Sequence, residues 1–285
     1  GTMKKGAAGT KAGKKPEAGK KPEAGKIPEP GKNTEPEMKI KPEETIQIQG
    51  PYGEINGILT PCIEENTAAP VLVLAHGFRG SMDGGGRAAV LAEMASECCN
   101  VIRFNFNGSQ ILSKQVEELE AVLAYVRLKF SAGKIFLLGR SLGGAAALVA
   151  ASRSADITGL VLWAAPNDLQ ATFRNALGAE AYNALSAGQT LYLNDERGEL
   201  TLTPDFITDF AKYDLQGILR NWHKRPLLIL HGEKDETVAA DQARLTFALA
   251  GVPKKLVIIN GGDHSFTNHG NKAAAEVVGW LQDRL

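Results

Sequence analysis

The chain has 285 residues, 44% of them hydrophobic, enough for one sizeable core with or without a smaller insertion. Its 32 basic and 32 acidic residues balance, so no overall field favours nucleic acid, and no stretch reaches the roughly 18 apolar residues of a membrane span. Cys62, Cys98 and Cys99 are too few and too poorly spaced for a disulfide framework, and no apolar secretory leader is visible, so reducing, cytoplasmic conditions are the expectation.

Residues 1–37 read as a separate segment. They hold nine Lys and five Glu, so they are basic while the remainder is acidic to the same degree. Lys14-Lys15-Pro16-Glu17-Ala18-Gly19 recurs over residues 20–25 and decays over 26–31. A hexapeptide repeat with no aromatic residue has almost nothing to bury, which predicts an extended, disordered tail or linker.

From residue 38 a single folded domain is expected, running to 285. Thr45–Gln49 and Glu54–Leu59 alternate polar and apolar residues, the signature of an antiparallel pair with one wet face. Continuous apolar runs follow at Val71–Ala75, Val101–Phe106, Ile135–Leu138, Leu160–Ala164, Leu227–His231 and Leu256–Asn260, as parallel strands covered on both faces require. Helical patterns lie between them at Gly86–Glu97, Ser113–Phe130, Gly144–Ser152, Ala239–Ala250 and Lys272–Leu285. Strands alternating with helices predict an α/β fold with a mostly parallel, doubly wound sheet of about eight strands.

The alternation breaks once, over residues 168–224. Helical pieces are expected near Leu169–Ala187 and Pro204–Arg220, with a hairpin from Thr190 to Thr203 between them. A connection this long with structure of its own predicts a lid or binding insertion. It holds seven of the eighteen aromatic residues, which could form an acyl or aryl pocket or the insertion's own small core.

Gly139-Arg140-Ser141-Leu142-Gly143 joins an apolar strand to a helix. Small neighbours let a serine there take a strained turn that exposes its hydroxyl, although a serine at a helix start can also be a plain cap. A serine nucleophile needs a base and a group that orients the base. Among five histidines, His264 combines a Gly-rich loop with the end of a strand. His76 and His231 fit loop-shaping hydrogen bonds better. Asp235, just past the Leu227–His231 strand, is the preferred orienting carboxylate; Asp168 is the runner-up, and Asp263 lies too close to His264 in sequence. Backbone N–H groups of Leu142 and Phe78 are the expected oxyanion donors. No ligand set with metal spacing occurs, Asp83-Gly84-Gly85-Gly86 lacks the Lys-Ser/Thr of a phosphate loop, and no cofactor is implied.

His76-Gly77-Phe78, Gly139–Gly144, His231–Val238 and Gly262-Asp263-His264 together resemble the four signature segments of the α/β-hydrolase superfamily. With its single insertion and hairpin, the chain is most similar to bacterial cinnamoyl (feruloyl) esterases. It departs from their Asp-x-x-Gly-His-Gly segment, reading Phe104-Asn105-Phe106-Asn107-Gly108-Ser109-Gln110 instead. The resemblance implies a serine esterase acting on a small-molecule carboxylic ester through Ser141, His264 and Asp235. A thioesterase or amide hydrolase on the same triad is the alternative, and a non-catalytic ligand-binding homologue is a third reading.

Overall fold

The computed structural model describes residues 42–64 and 68–285, together with Thr2. The predicted tail over residues 1–37 falls outside these residues apart from Thr2.

Ten strands are present among the described residues: β1 (Glu44–Gly50), β2 (Gly53–Thr60), β3 (Val71–Ala75), β4 (Asn100–Phe104), β5 (Ile135–Arg140), β6 (Ile157–Trp163), β7 (Leu191–Asp195), β8 (Gly198–Leu202), β9 (Leu227–Gly232) and β10 (Lys254–Ile259). Eight form one sheet in the order β1-β2-β4-β3-β5-β6-β9-β10, while β7 and β8 make a separate hairpin. β1 and β2 pair antiparallel, as their alternation predicts, and β2 meets β4 antiparallel; all later pairings in the large sheet are parallel. The parallel strands β3, β4, β5 and β9 are almost entirely buried, which is why their sequences show no polar face.

Successive side chains of these strands enter opposite cores. Leu137 and Val73 join the core under α2 (Leu112–Lys129), α3 (Leu142–Ser152) and α8 (Ala240–Leu249). Phe136, Leu138, Leu72 and Leu74 join the core under α1 (Arg87–Ala95) and α9 (Gly270–Gln282). Two helical layers therefore cover a doubly wound sheet. The chain moves from β3 outward to β4 and then returns to β5 on the other side of β3. A crevice opens at the carboxyl ends of strands where the winding direction reverses, here between the loops that follow β3 and β5.

Several predicted boundaries shift. Strand β4 ends at Phe104 rather than Phe106, since Phe106 turns its N–H to the side chain of His76. Strand β6 starts at Ile157, and α3 starts at Leu142. The helix expected over Leu169–Ala187 is two helices, α4 (Leu169–Leu177) and α5 (Ala179–Ser186), separated by Gly178 at φ 87°. Only glycine takes that conformation at little cost. The stretch from Pro204 to Arg220 likewise divides into α6 (Asp205–Thr208), a 3-10 turn over 209–212, and α7 (Leu215–Arg220), the last begun by Asp214 accepting from the Gly217 N–H.

This insertion is anchored rather than loose. Buried Asp209 accepts hydrogen bonds from the Ser113 N–H and hydroxyl at the start of α2 (2.9 and 2.6 Å). Phe173, Phe206 and Phe210 pack on one another with centroids 5.0–5.4 Å apart. The aromatics of the segment are thus largely a small core, while Tyr192 is exposed.

Candidate active site

Close backbone packing shapes the turn at Ser141. A Cβ on Gly139 would collide with the backbone of Gly143, one on Gly143 with the carbonyl of His76, and one on Gly144 with Ala165. These contacts hold α3 against the sheet and force the turn tight. Ser141 takes the strain, at φ 52° and ψ −122°, a conformation costing a non-glycine residue on the order of 1–3 kcal/mol. Its side chain makes no cap bond to the helix. The hydroxyl instead lies 3.1 Å from His264 Nε2.

His264 sits in the loop between β10 and α9. Its Nδ1–H donates to Asp235 Oδ2 at 2.8 Å, which leaves Nε2 free to accept from the Ser141 hydroxyl. The His264 backbone N–H donates to Glu236 Oε2 at 3.1 Å and fixes the loop. Residues 141, 235 and 264, distant in sequence, thus form one hydrogen-bonded row.

Asp235 has no exposed side-chain surface. Burial alone would raise its carboxyl, but hydrogen bonds from His231 and His264 and from the backbone more than offset this and hold it well below the usual carboxylate range. Oδ1 accepts the Thr237 and Val238 N–H groups at 2.9 and 2.8 Å. His231 donates from Nε2 to Val238 O at 2.8 Å and lies 3.3 Å from Asp235 Oδ2. His231 therefore shapes this loop, as expected, and also braces the carboxylate, which its sequence position alone did not signal.

His76 is a brace of the other loop. Its Nδ1–H donates to Gly77 O at 2.9 Å and Nε2 accepts from the Phe106 N–H at 3.1 Å. Burial, seconded by the nearby Arg140 cation, favours the neutral imidazole that this pattern requires, against a smaller opposing pull from Gly77 O. Gly77 lies so close to Ser141 that a Cβ there would come within 3.0 Å of the serine Cβ. The next residue, Phe78, lines the same cleft as Ser141. Neither the Phe78 nor the Leu142 N–H has an acceptor among the described residues. The remaining candidate carboxylates serve locally: Asp168 caps α4 through the Ala171 N–H, and Asp263 accepts from the Thr267 N–H.

A cleft of about 690 Å³ opens over this row. Phe78, Phe173, Ala176, Leu177 and Leu193 make part of its wall apolar, while Arg87 and Arg140, beside Gly84, make another part cationic. Phe78 packs on Phe173 and Phe206 at 5.1 and 5.4 Å. Arg79, next to Phe78, forms a bidentate pair with Asp195 at 2.6 and 2.8 Å and donates to Gly198 O at 3.0 Å. This clamp between the loop after β3 and the β7–β8 hairpin links residues 116 positions apart, and no local pattern announces it. The divergent segment after β4 supports the same loop: Gln110 accepts from the Arg79 N–H and Asn105 from the Met82 N–H. No group of His, Cys, Asp and Glu able to hold a metal occurs among the described residues, and none of their helices is long and apolar enough to cross a membrane.

Residues 72–278 match the model of a family described as the alpha/beta hydrolase family. No curated protein matches the chain. Among solved structures, Est1E from Butyrivibrio proteoclasticus superposes with a TM-score of 0.70 at 19% identity, over 84% of this chain and 98% of that one; Est1E has also been solved with ferulic acid bound. The esterase domain of a Rhodothermus marinus protein gives 0.62 at 21% identity, over 85% and 96% of the two chains. The Pyrococcus furiosus esterase Pf2001 gives 0.64 at 15% identity, over 85% and 92%. At these identities the likeness is one of fold.

Proposed function

The chain belongs to the alpha/beta hydrolase family, and from that premise we propose that it is a serine esterase acting on carboxylic esters of small acyl or hydroxycinnamoyl type. One observation carries the reading: a strained Ser141 hydroxyl 3.1 Å from an imidazole whose other nitrogen donates to a buried carboxylate at 2.8 Å.

In the proposed reaction His264 Nε2 takes the Ser141 proton as Oγ attacks the ester carbonyl. Asp235 holds the imidazole in the tautomer this requires and stabilises the imidazolium that forms. The oxyanion is received by the N–H groups of Leu142 and Phe78, each such donor typically lowering the barrier by roughly 2.7–4 kcal/mol. His264 then returns its proton to the departing alcohol, leaving an acyl group on Ser141. Water activated through the same imidazole releases the acid and regenerates the hydroxyl.

Residues 168–224 act as the lid in this account, and 38–285 as the catalytic domain, with 1–37 a tail or linker. Apolar lining from Phe78, Phe173 and Leu177 suits an acyl or aryl group, and Est1E, solved with ferulic acid, supports including hydroxycinnamoyl esters. Thioesters and amides fit the same chemistry, so a panel of acetyl to octanoyl and methyl hydroxycinnamate esters, with thioester counterparts, distinguishes them. The reading is tested by Ser141→Ala: hydrolysis of 4-nitrophenyl acetate should vanish while the circular dichroism spectrum stays native. Undiminished turnover by the folded variant would refute it.

A further inference from the structure

The cationic side of the cleft is not used by the chemistry above. Arg140 sits between Gly139 and Ser141, at the end of β5, and is only partly exposed. Among the described residues its guanidinium makes no ion pair or hydrogen bond, and it lies 5.7 Å from the Trp163 ring. Gly84 presses on it so closely that a Cβ there would lie 2.5 Å from Arg140 Nη1. A second guanidinium, Arg87, begins α1 beside it, and both line the cleft that contains Ser141 and His264.

The surrounding carboxylates are committed elsewhere. Asp83 pairs with Arg103, Asp195 with Arg79, Glu236 accepts from the His264 N–H, and Asp263 caps Thr267 while lying within the field of Arg87. Burial, reinforced by Arg87, pulls the Arg140 pKa down to about 10, so it remains a cation at neutral pH. Folded proteins seldom desolvate an arginine without a partner, because the charge loses hydration with nothing in return. A fixed, planar, unpaired guanidinium facing a cleft is suited to an oxyanion group.

We propose that Arg140 and Arg87, with Gly84 leaving the space, form an anion subsite beside Ser141, and that the substrate is an ester carrying a second, ionised carboxylate or phosphate on one half and an apolar group on the other. The apolar group occupies the wall formed by Phe78, Phe173 and Leu177. The proposal rests on the esterase reading for its substrate but not for its anion site.

Two matched pairs of esters test it: mono-4-nitrophenyl adipate against its methyl ester, and 4-acetoxybenzoate against its methyl ester. The first pair puts the charge on the acyl half, the second on the alcohol half. The wild type should favour the carboxylate in one pair by about tenfold or more, the scale of one charge-assisted hydrogen bond. Arg140→Gln should erase that ratio and Arg140→Lys restore part of it. Equal use of both members of each pair, or a ratio that survives Arg140→Gln, overturns the proposal. A second arm needs no catalysis. Adipate and inorganic phosphate are titrated calorimetrically into Ser141→Ala, with and without Arg140→Gln. Dissociation constants raised about tenfold by the second substitution support the subsite and show whether carboxylate or phosphate is preferred; unchanged binding overturns it. If no ester is hydrolysed but adipate or phosphate binding depends on Arg140, the esterase reading fails and the anion site stands. Should Arg140→Gln not fold, Arg87→Gln carries both arms.

Discussion

An Asp235→Asn exchange keeps the size of the side chain but removes its charge and changes where hydrogens point, and the second effect can be worked from the hydrogen bonds around it. The carboxylate now accepts from Thr237, Val238 and His264, with His231 3.3 Å away. An asparagine can direct its oxygen to the Thr237 and Val238 N–H groups, but its NH2 then faces His264 Nδ1. The imidazole must move its proton to Nε2, where it points at Ser141 and cannot accept the serine proton. In the reverse orientation the NH2 meets two backbone donors and strands both, at about 1–3 kcal/mol for each buried unpaired group. The first orientation preserves more, so the variant should fold with the wrong tautomer. The expected loss is about 10⁴-fold in kcat, the size of a tautomer defect in a serine triad, with no comparable change in KM. Steady-state hydrolysis of 4-nitrophenyl acetate measures the loss, and thermal unfolding verifies the fold. A folded Asp235→Asn variant within tenfold of wild-type kcat would refute the argument.

Gly144→Ala should cost about 1–3 kcal/mol of stability by overpacking, since the added methyl meets Ala165; urea unfolding reads this directly, and a neutral result would contradict the tight turn. Arg79→Met should release the β7–β8 hairpin, whose tip is held by the Asp195 pair and Gly198 O. Hydrogen exchange over residues 191–202 should then quicken while that of β5 stays slow; equal protection would mean the clamp does not hold the hairpin.

The strands were the most legible part of the chain because a parallel strand buried on both faces leaves an uninterrupted apolar run, and Val71–Ala75 coincides with β3 to the residue. The paired row of Ser141, Asp235 and His264 was also accessible, since each residue follows a strand end in a short segment of its own. The insertion was harder. Its helices are interrupted by Gly178 at a positive φ and restarted by the Asp214 cap, local choices that an averaged helical pattern passes over. Polar pairing escaped altogether: Arg79 with Asp195 and Asp209 with Ser113 depend on which loops the fold brings together, and His231 beside Asp235 on how a single loop turns back on its strand. The unpaired state of Arg140 is of the same kind. Sequence marks it only as a large cation inside a motif of small residues, and only the surrounding geometry reveals that no carboxylate among the described residues answers it.

The central claim is that Ser141 is chemically activated by His264. Reaction with a fluorophosphonate, located by peptide mass spectrometry, tests it without knowledge of the natural substrate. A single adduct on Ser141 is predicted, forming orders of magnitude more slowly in a folded His264→Gln variant. Absence of any adduct on the folded wild type, an adduct on another residue, or a rate indifferent to His264 would contradict it.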